Sequence, residues 1–398
     1  LVGAGAALIV AVLAGVFLYG PGSPAQVDVA FRNPGSGDVH LFAEPTGPSG
    51  PPQRLASLPP GGAVDLRASV GARLFFSPQE SGATRRHTLT VDGSMREYSF
   101  NPGCRDLVGA ARCQGFAGSC GTNPGWMAVN CAATCGMCHL LDPKVRCSLE
   151  RLGLSNESVV GPGDIARMFE SLPKRFPEYN VKFLSEPDNP YVATFDNFVT
   201  AEEARVIMQL TEPHLQRSTD QGSIDEATGV QSKITSTSRT SSNAWCDDNS
   251  GCSSNPVVKK LIKRIAAVVQ VSEQNFEYMQ VLRYGRGQEY QPHHDTSPHD
   301  WRLACGPRLY TMFLYFDEVK EGGGTSFPNL NVTVTPAQGK ALLWPSLVSD
   351  RPSEIEVRTT HAALPVIEGT KLAANVWVRQ RNYRHANLWG CTGSFGDL

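Results

Sequence analysis

Six cysteines in a span of 35 residues, at Cys104, Cys113, Cys120, Cys131, Cys135 and Cys138, constrain this chain more than any other feature. So short a stretch cannot bury a core of its own and needs cross-links instead. A dense, even-numbered cluster reads as a disulfide framework made in an oxidising compartment. Zinc is the rival reading, because Cys135 and Cys138 form Cys-x-x-Cys. A zinc module offers a second close Cys or His pair; here the other spacings are 9, 7, 11 and 4, and only His139 is near. Spacing alone leaves the connectivity open. Of the remaining cysteines, Cys246 and Cys252 flank an Asp-Asp-Asn-Ser-Gly loop that a local disulfide would close. Cys147, Cys305 and Cys391 are an odd remainder, so at least one thiol is free or intermolecular.

The first 20 residues, Leu1 to Gly20, carry no charge. At about 1.5 Å per residue they span roughly 30 Å, the thickness of a bilayer core. The expectation is an N-terminal transmembrane signal-anchor at 1–20, single-pass and type II. The rest of the chain would then lie in the lumen of the endoplasmic reticulum or Golgi. A cleaved signal peptide is the alternative, but its apolar region is usually shorter, and Gly22-Ser23-Pro24-Ala25 is a poor cleavage site. The sequons at Asn156 and Asn331 are compatible with that topology. A net charge of −2 supplies no basic field for nucleic acid.

A length of 398 residues suggests two or three domains. Residues 26–100 read as short strands, among them Val27–Phe31, Val39–Phe42, Leu74–Phe76 and His87–Val91. Clusters such as Pro59-Pro60-Gly61-Gly62 separate them, which points to a small β-sandwich. The cysteine module occupies 104–138. Residues 139–185 read as a linker with a short helix at Ile165–Leu172. Beyond it, Tyr191–Phe195 alternates as a strand. Thr200 with Glu203 forms a capping box that opens a helix through Leu210. A second helix runs from about Asn255 to Val269, with apolar residues at helical spacing. From Glu277 to Asn382 strand and turn alternate, so 186–390 reads as a β-rich core backed by helices.

His293 and Asp295 sit in Gly287-Gln288-Glu289-Tyr290-Gln291-Pro292-His293-His294-Asp295. Two residues apart on a strand, both side chains face one cavity while His294 faces away. A His and a carboxylate make two thirds of a facial triad, which leaves metal positions open for a chelating substrate and oxygen. His361 is the best third ligand, expected on a facing strand. With nine histidines in the chain, a lone His-x-Asp is weak. Lys371 strengthens it. A lysine reaching into an apolar barrel carries an unpaired buried charge, which a cosubstrate carboxylate would neutralise. Leu372–Arg379 alternates after it, with Val376 and Val378 on one face and Trp377 on the other.

Three resemblances follow from these strings. Asp106, Phe116-Ala117, Asn123-Pro124, Met127 and Cys135-Gly136-Met137-Cys138 resemble the ShK toxin-like domain. That likeness implies the pairs Cys104–Cys138, Cys113–Cys131 and Cys120–Cys135, and a structural or protein-binding role. Phe31-Arg32-Asn33, His40-Leu41-Phe42 and Leu58-Pro59-Pro60-Gly61 look loosely like the β domain of the von Hippel–Lindau protein. Residues 191–384 resemble the catalytic domain of prolyl 4-hydroxylases, through Tyr284, the Gly287–Asp295 string, Gly323-Gly324-Thr325-Ser326-Phe327-Pro328, His361 to Lys371, Asn375-Val376-Trp377 and Ser238-Arg239-Thr240-Ser241.

The last resemblance implies a double-stranded β-helix, or jelly-roll, fold. It implies Fe(II) on His293, Asp295 and His361, and 2-oxoglutarate held by Lys371 with Tyr284, Thr325 and Trp377. Tyr290 and Arg308 would lie near the peptide, with O2 as oxidant and L-ascorbate as rescuer of over-oxidised iron. The reaction it implies is 4-hydroxylation of peptidyl proline in proline-rich or collagen-like secretory proteins. Lysyl hydroxylases resemble this fold but anchor the cosubstrate with Arg, so Lys371 favours the prolyl type. Arg379 stands where some relatives have His. A mobile loop near Trp245–Ser253 would need to be compatible with a long peptide. The rivals are the same iron chemistry on another acceptor, and a non-catalytic binding scaffold.

Overall fold

The computed structural model of the chain describes residues 24–35, 37–45, 51–101, 103–186, 188–224, 231–235 and 238–392. The expected anchor at 1–20 lies outside them. Among the described residues no helix is long and apolar enough to cross a membrane.

Residues 26–99 form two sheets. Gln26–Arg32 lies between Ala63–Ser69 and Glu97–Ser99; Val39–Ala43 and Arg73–Ser77 lie between Gln53–Leu58 and His87–Thr90. Alternation along Gln26–Arg32 turns Val29 and Phe31 inward, where they join Leu41, Phe76 and Leu89 of the second sheet. The strands at 53–58, 63–69 and 97–99 have no counterpart in the sequence reading. All three are sheet edges, and such strands need little apolar alternation.

In the cysteine module the structure pairs Cys104 with Cys138, Cys113 with Cys131 and Cys120 with Cys135, as the ShK resemblance implies. The module is wedged between its neighbours. Thr90 N–H donates to the Gly136 carbonyl at 3.0 Å, which ties it to the sandwich. Gly125 lies against the backbone of Trp389 and Gly390, so close that a Cβ there would sit 2.5 Å from the Trp389 carbonyl carbon. A disulfide joins Cys147 to Cys391, and the Arg151 guanidinium stacks on the Trp389 ring at 3.6 Å.

The stretch read as a linker is structured. Asp164–Arg175 is a helix whose Ile165, Met168, Phe169 and Leu172 are buried on the main sheet of the C-terminal unit. The apolar period of 3.6 signals that helix, but not the unit it packs on. Helices Ala201–Thr211 and Pro256–Val269 cover the same face. The capping box forms: Thr200 Oγ1 accepts from the Glu203 N–H at 3.1 Å and Glu203 Oε2 from the Thr200 N–H at 2.9 Å. Glu203 also pairs with Arg264 at 2.8 Å, locking the two helices together.

The eight-stranded sheet runs Gln216–Arg217, Ser242–Cys246, Met279–Tyr284, Lys371–Arg379, Arg308–Tyr315, Ala341–Pro345, Ala193–Phe195, Lys182–Phe183. A four-stranded sheet, Tyr290–His293, His361–Ala363, Thr325–Phe327, Val332–Val334, completes the jelly roll. Leu282, Tyr284, Phe313, Tyr315, Phe327 and Trp344 cluster between the two. Along Lys371–Arg379, Ala374, Val376 and Val378 face the helices, which leaves Lys371, Ala373, Asn375 and Trp377 on the inner face.

Candidate active site

His293 ends the strand Tyr290–His293, and His361 opens His361–Ala363. The two are direct register partners in one antiparallel ladder. His361 therefore lies on the adjacent strand of the same sheet rather than on a facing one, because the ladder itself brings the two rings within 4.4 Å of each other. Asp295 follows in a bend beyond the strand end. Ligand-capable atoms of His293, Asp295 and His361 all lie within 4.8 Å of one another. His294 faces away, with Nε2 at 3.1 Å from the Glu356 carbonyl.

The imidazoles are oriented for a metal. His293 Nδ1 lies 2.9 Å from the Gln291 carbonyl and His361 Nδ1 3.0 Å from the Thr359 carbonyl. Each Nδ1–H donates to its carbonyl, which leaves Nε2 as the free lone pair. Burial, reinforced by His361, pushes His293 down to about 3. Burial lowers His361 as well. Both rings are thus neutral at physiological pH, the form that binds metal. Burial opposes the charge of Asp295, but the His361 and His293 imidazoles, the Arg308 guanidinium and the Thr311 hydroxyl outweigh it and hold the carboxyl well below its usual range.

Lys371 is 0% exposed. Among the described residues its Nζ reaches only the Thr325 hydroxyl, at 3.4 Å, and sits over the rings of Phe313, Tyr284 and Tyr315 at 5.2, 5.3 and 5.7 Å. Among the described residues no carboxylate pairs with it. Burial pushes it down to about 7. Tyr284 is its register partner, and Tyr315 O–H donates to Thr325 Oγ1 at 2.8 Å. This is an apolar, aromatic-walled recess with one orphaned cation, and a carboxylate is the group that would satisfy it.

The other expected residues divide. Trp377 is on the inner face as expected, and its Nε1–H donates to Asp295 Oδ1 at 3.0 Å, so it holds the carboxylate as well as lining the cavity. Tyr290 stacks on His293, with ring centroids 3.7 Å apart. Arg308, expected near the peptide, lies 3.7 Å over the Trp377 ring and donates to both Glu277 carboxylate oxygens at 2.6 and 2.9 Å and to the Asp295 carbonyl at 3.0 Å. Glu277, buried, needs two cations to remain ionised, and Arg379 is the second at 2.6 Å. That also explains Arg379: its Nη1 donates onward to Asp300 and to the Gly306 carbonyl, away from the cavity. In the loop Trp245–Ser253 the expected Cys246–Cys252 disulfide forms, and Tyr278 O–H donates to Asp248 at 2.6 Å.

Thr311 and Glu277 went unnoticed in the sequence. The signal was available: each is a polar residue inside or beside a buried apolar run, and such a group requires a partner.

Two sheets carry a His-Asp-His cluster that could hold a metal ion and, on the inner face of the larger one, a buried lysine that a carboxylate would satisfy. Residues 279–379 match the 2OG-Fe(II) oxygenase superfamily, and residues 103–138 match the ShK domain-like family. Prolyl 4-hydroxylase subunit alpha-2 of Gallus gallus is 34% identical over 199 residues, 49% of this chain and 35% of that protein. Subunit alpha-3 of Homo sapiens is 36% identical over 197 residues, 48% of this chain and 34% of that protein. The viral collagen prolyl hydroxylase of Paramecium Bursaria Chlorella virus-1, solved with 2OG, aligns with 48% of this chain and 97% of its own at 25% identity and a TM-score of 0.37. The half of the chain that carries the site is thus similar to prolyl hydroxylases, and its His-Asp-His cluster could hold a metal ion. The matched superfamily takes Fe(II), 2-oxoglutarate and O2, and prolyl hydroxylases use ascorbate. The chain spans about one third of the length of the curated relatives it matches.

Proposed function

We propose that this chain hydroxylates peptidyl proline at C4 in proline-rich or collagen-like proteins of the secretory pathway. The coupled reaction converts 2-oxoglutarate and O2 to succinate and CO2 while one oxygen atom enters the proline. The observation that carries the proposal is Lys371, fully buried on the face that bears Trp377 and, among the described residues, without a carboxylate partner. In this reading His293, Asp295 and His361 hold iron. Lys371 with Thr325 and Tyr284 holds the distal carboxylate of the cosubstrate. The chemistry that iron supplies when bound is oxygen activation coupled to decarboxylation of the keto acid.

The protein's own part is binding and order. Neutral imidazoles present Nε2 to the metal. Trp377 and Thr311 fix the carboxylate. The aromatic wall around Lys371 excludes water and strengthens its attraction for an anion. Tyr290, beside His293, offers an aromatic face to an extended polyproline segment, and Arg239, held by Gln280 Oε1 at 2.8 Å, sets its guanidinium 4.9 Å from that ring. Arg308, over the Trp377 ring and bonded to the Asp295 carbonyl, supports the site and would lie near the peptide.

The site of action would be the lumen of the endoplasmic reticulum or Golgi, with 1–20 as a membrane anchor. Five disulfides in the structure support an oxidising compartment. Asn156 and Asn331 are both exposed and would carry N-glycans there; a chain secreted from eukaryotic cells whose mass does not fall on endoglycosidase treatment would refute that.

The deciding experiment measures succinate release by the chain with Fe(II), ascorbate and 2-oxoglutarate, with and without a proline-rich peptide. Peptide-stimulated succinate, with one added oxygen on proline, is expected. Turnover indifferent to the peptide would move the acceptor elsewhere, to a free amino acid or one folded target. Iron binding with no turnover would leave a scaffold.

A further inference from the structure

Asp295 supplies the only carboxylate of the candidate iron site, and both of its oxygens are already engaged. Trp377 Nε1–H donates to Oδ1 at 3.0 Å, and the Thr311 hydroxyl donates to Oδ2 at 2.6 Å. Oδ2 is also the oxygen that faces His361 Nε2, at 3.6 Å. The two donors come from adjacent strands: Thr311 on Arg308–Tyr315 and Trp377 on Lys371–Arg379 are register partners. Thr311 is 0% exposed, so its hydroxyl has no water to compete for it.

The terminal torsion of an aspartate is broad and roughly two-fold. Left alone, the carboxylate would swing, and a metal would have to order it on arrival. Here Thr311 settles which way the plane lies before any ligand is present. Arg308 completes the support by holding the Asp295 backbone carbonyl at 3.0 Å.

We propose that Thr311 is the positioning residue of this site: its hydroxyl fixes the Asp295 carboxylate so that Oδ2 stays turned toward His361. The proposal rests on the reading of His293, Asp295 and His361 as metal ligands. Partners of this kind are worth about 10–100-fold in metal affinity. The competing view is that Thr311 only fills space, as a β-branched residue on a strand does.

Two substitutions separate these views, because they point in opposite directions. Thr311→Val keeps the shape and removes the donor; Thr311→Ser keeps the donor and removes a methyl. The measurement is the affinity of the metal-free chain for Co(II), read from the visible absorption of the bound ion, with folding checked by circular dichroism. Thr311→Val is expected to bind Co(II) about 10–100-fold more weakly, with Thr311→Ser near the unsubstituted chain. Should Thr311→Val not fold, Thr311→Ala removes the same donor and carries the same expectation. Wild-type affinity in the folded Val or Ala variant, or equal damage in Ser and Val, overturns the proposal. His361→Ala is the control: if it binds Co(II) like the unsubstituted chain, the triad reading itself has failed, independently of Thr311.

Discussion

Replacing Lys371 with Met should stabilise the metal-free protein while destroying its hold on 2-oxoglutarate. The lysine is 0% exposed, and burial pushes it from its ordinary 10.5 down to about 7. A shift of that size corresponds to about 5 kcal/mol of lost stability once the group is charged. The rings of Phe313, Tyr284 and Tyr315, all within 6 Å, return roughly 0.5–1 kcal/mol each. Lys371→Met should therefore gain about 2–4 kcal/mol near pH 6, or about 5–15 °C in Tm.

The sign follows from proton counting. Between about 7 and 10.5 the unfolded lysine holds its proton and the folded one has lost it. The unfolded state thus binds more protons, so stability of the unsubstituted chain rises with pH across that window and the cost is complete only below about 7. The advantage of the Met variant should be largest near pH 6 and shrink by pH 9. Thermal melts of both proteins at several pH values measure it. Repeating the melts with Co(II) and 2-oxoglutarate should raise the Tm of the unsubstituted chain beyond the metal alone, and leave Lys371→Met unmoved. A Met variant that is less stable at pH 6, or a gap independent of pH, would refute the idea of an orphaned cation; a Met variant still protected by 2-oxoglutarate would refute its role as anchor.

Glu277→Gln leaves Arg308 and Arg379 without their shared carboxylate, and should cost about 3–5 kcal/mol in a denaturant melt. Gly125→Ala drives a Cβ to 2.5 Å from the Trp389 backbone. Neither backbone can yield easily, so about 1–3 kcal/mol should be lost, with new protease cleavage between the cysteine module and the C-terminal helix Tyr383–Leu388. Cys147→Ser with Cys391→Ser opens a link that spans 244 residues of sequence; a loss of about 2–5 kcal/mol by chemical denaturation is expected.

What the sequence discloses here depends on how narrowly chemistry restricts residue type. His293, Asp295, His361 and Lys371 are legible because few side chains can bind iron or a buried carboxylate, and a strand period of 2 tells which of them share a face. The capping box at Thr200 is legible for the same reason. Sheet order is not, since it depends on contacts far apart in the chain; hence His361 could be expected across the cavity when it lies one strand over in the same sheet. The partner of Arg308 is likewise not legible: Glu277 lies 31 residues earlier in the chain, and only the fold brings the two within 2.6 Å.

The run Leu309-Tyr310-Thr311-Met312-Phe313-Leu314 is almost wholly apolar and fully or nearly fully buried. A hydroxyl in its midst has to be satisfied, and the nearest unsatisfied need in this fold is the second oxygen of Asp295. Glu277, buried ahead of Met279–Tyr284, follows the same logic through two guanidiniums. Thr311 thus touches the Asp295 carboxylate directly, and Glu277 reaches the Asp295 backbone through Arg308. Helices Asp164–Arg175 and Pro256–Val269 pack behind the strands that carry these residues. A site of this kind needs both parts: ligands that chemistry selects, and a packed sheet whose few polar interruptions hold those ligands still.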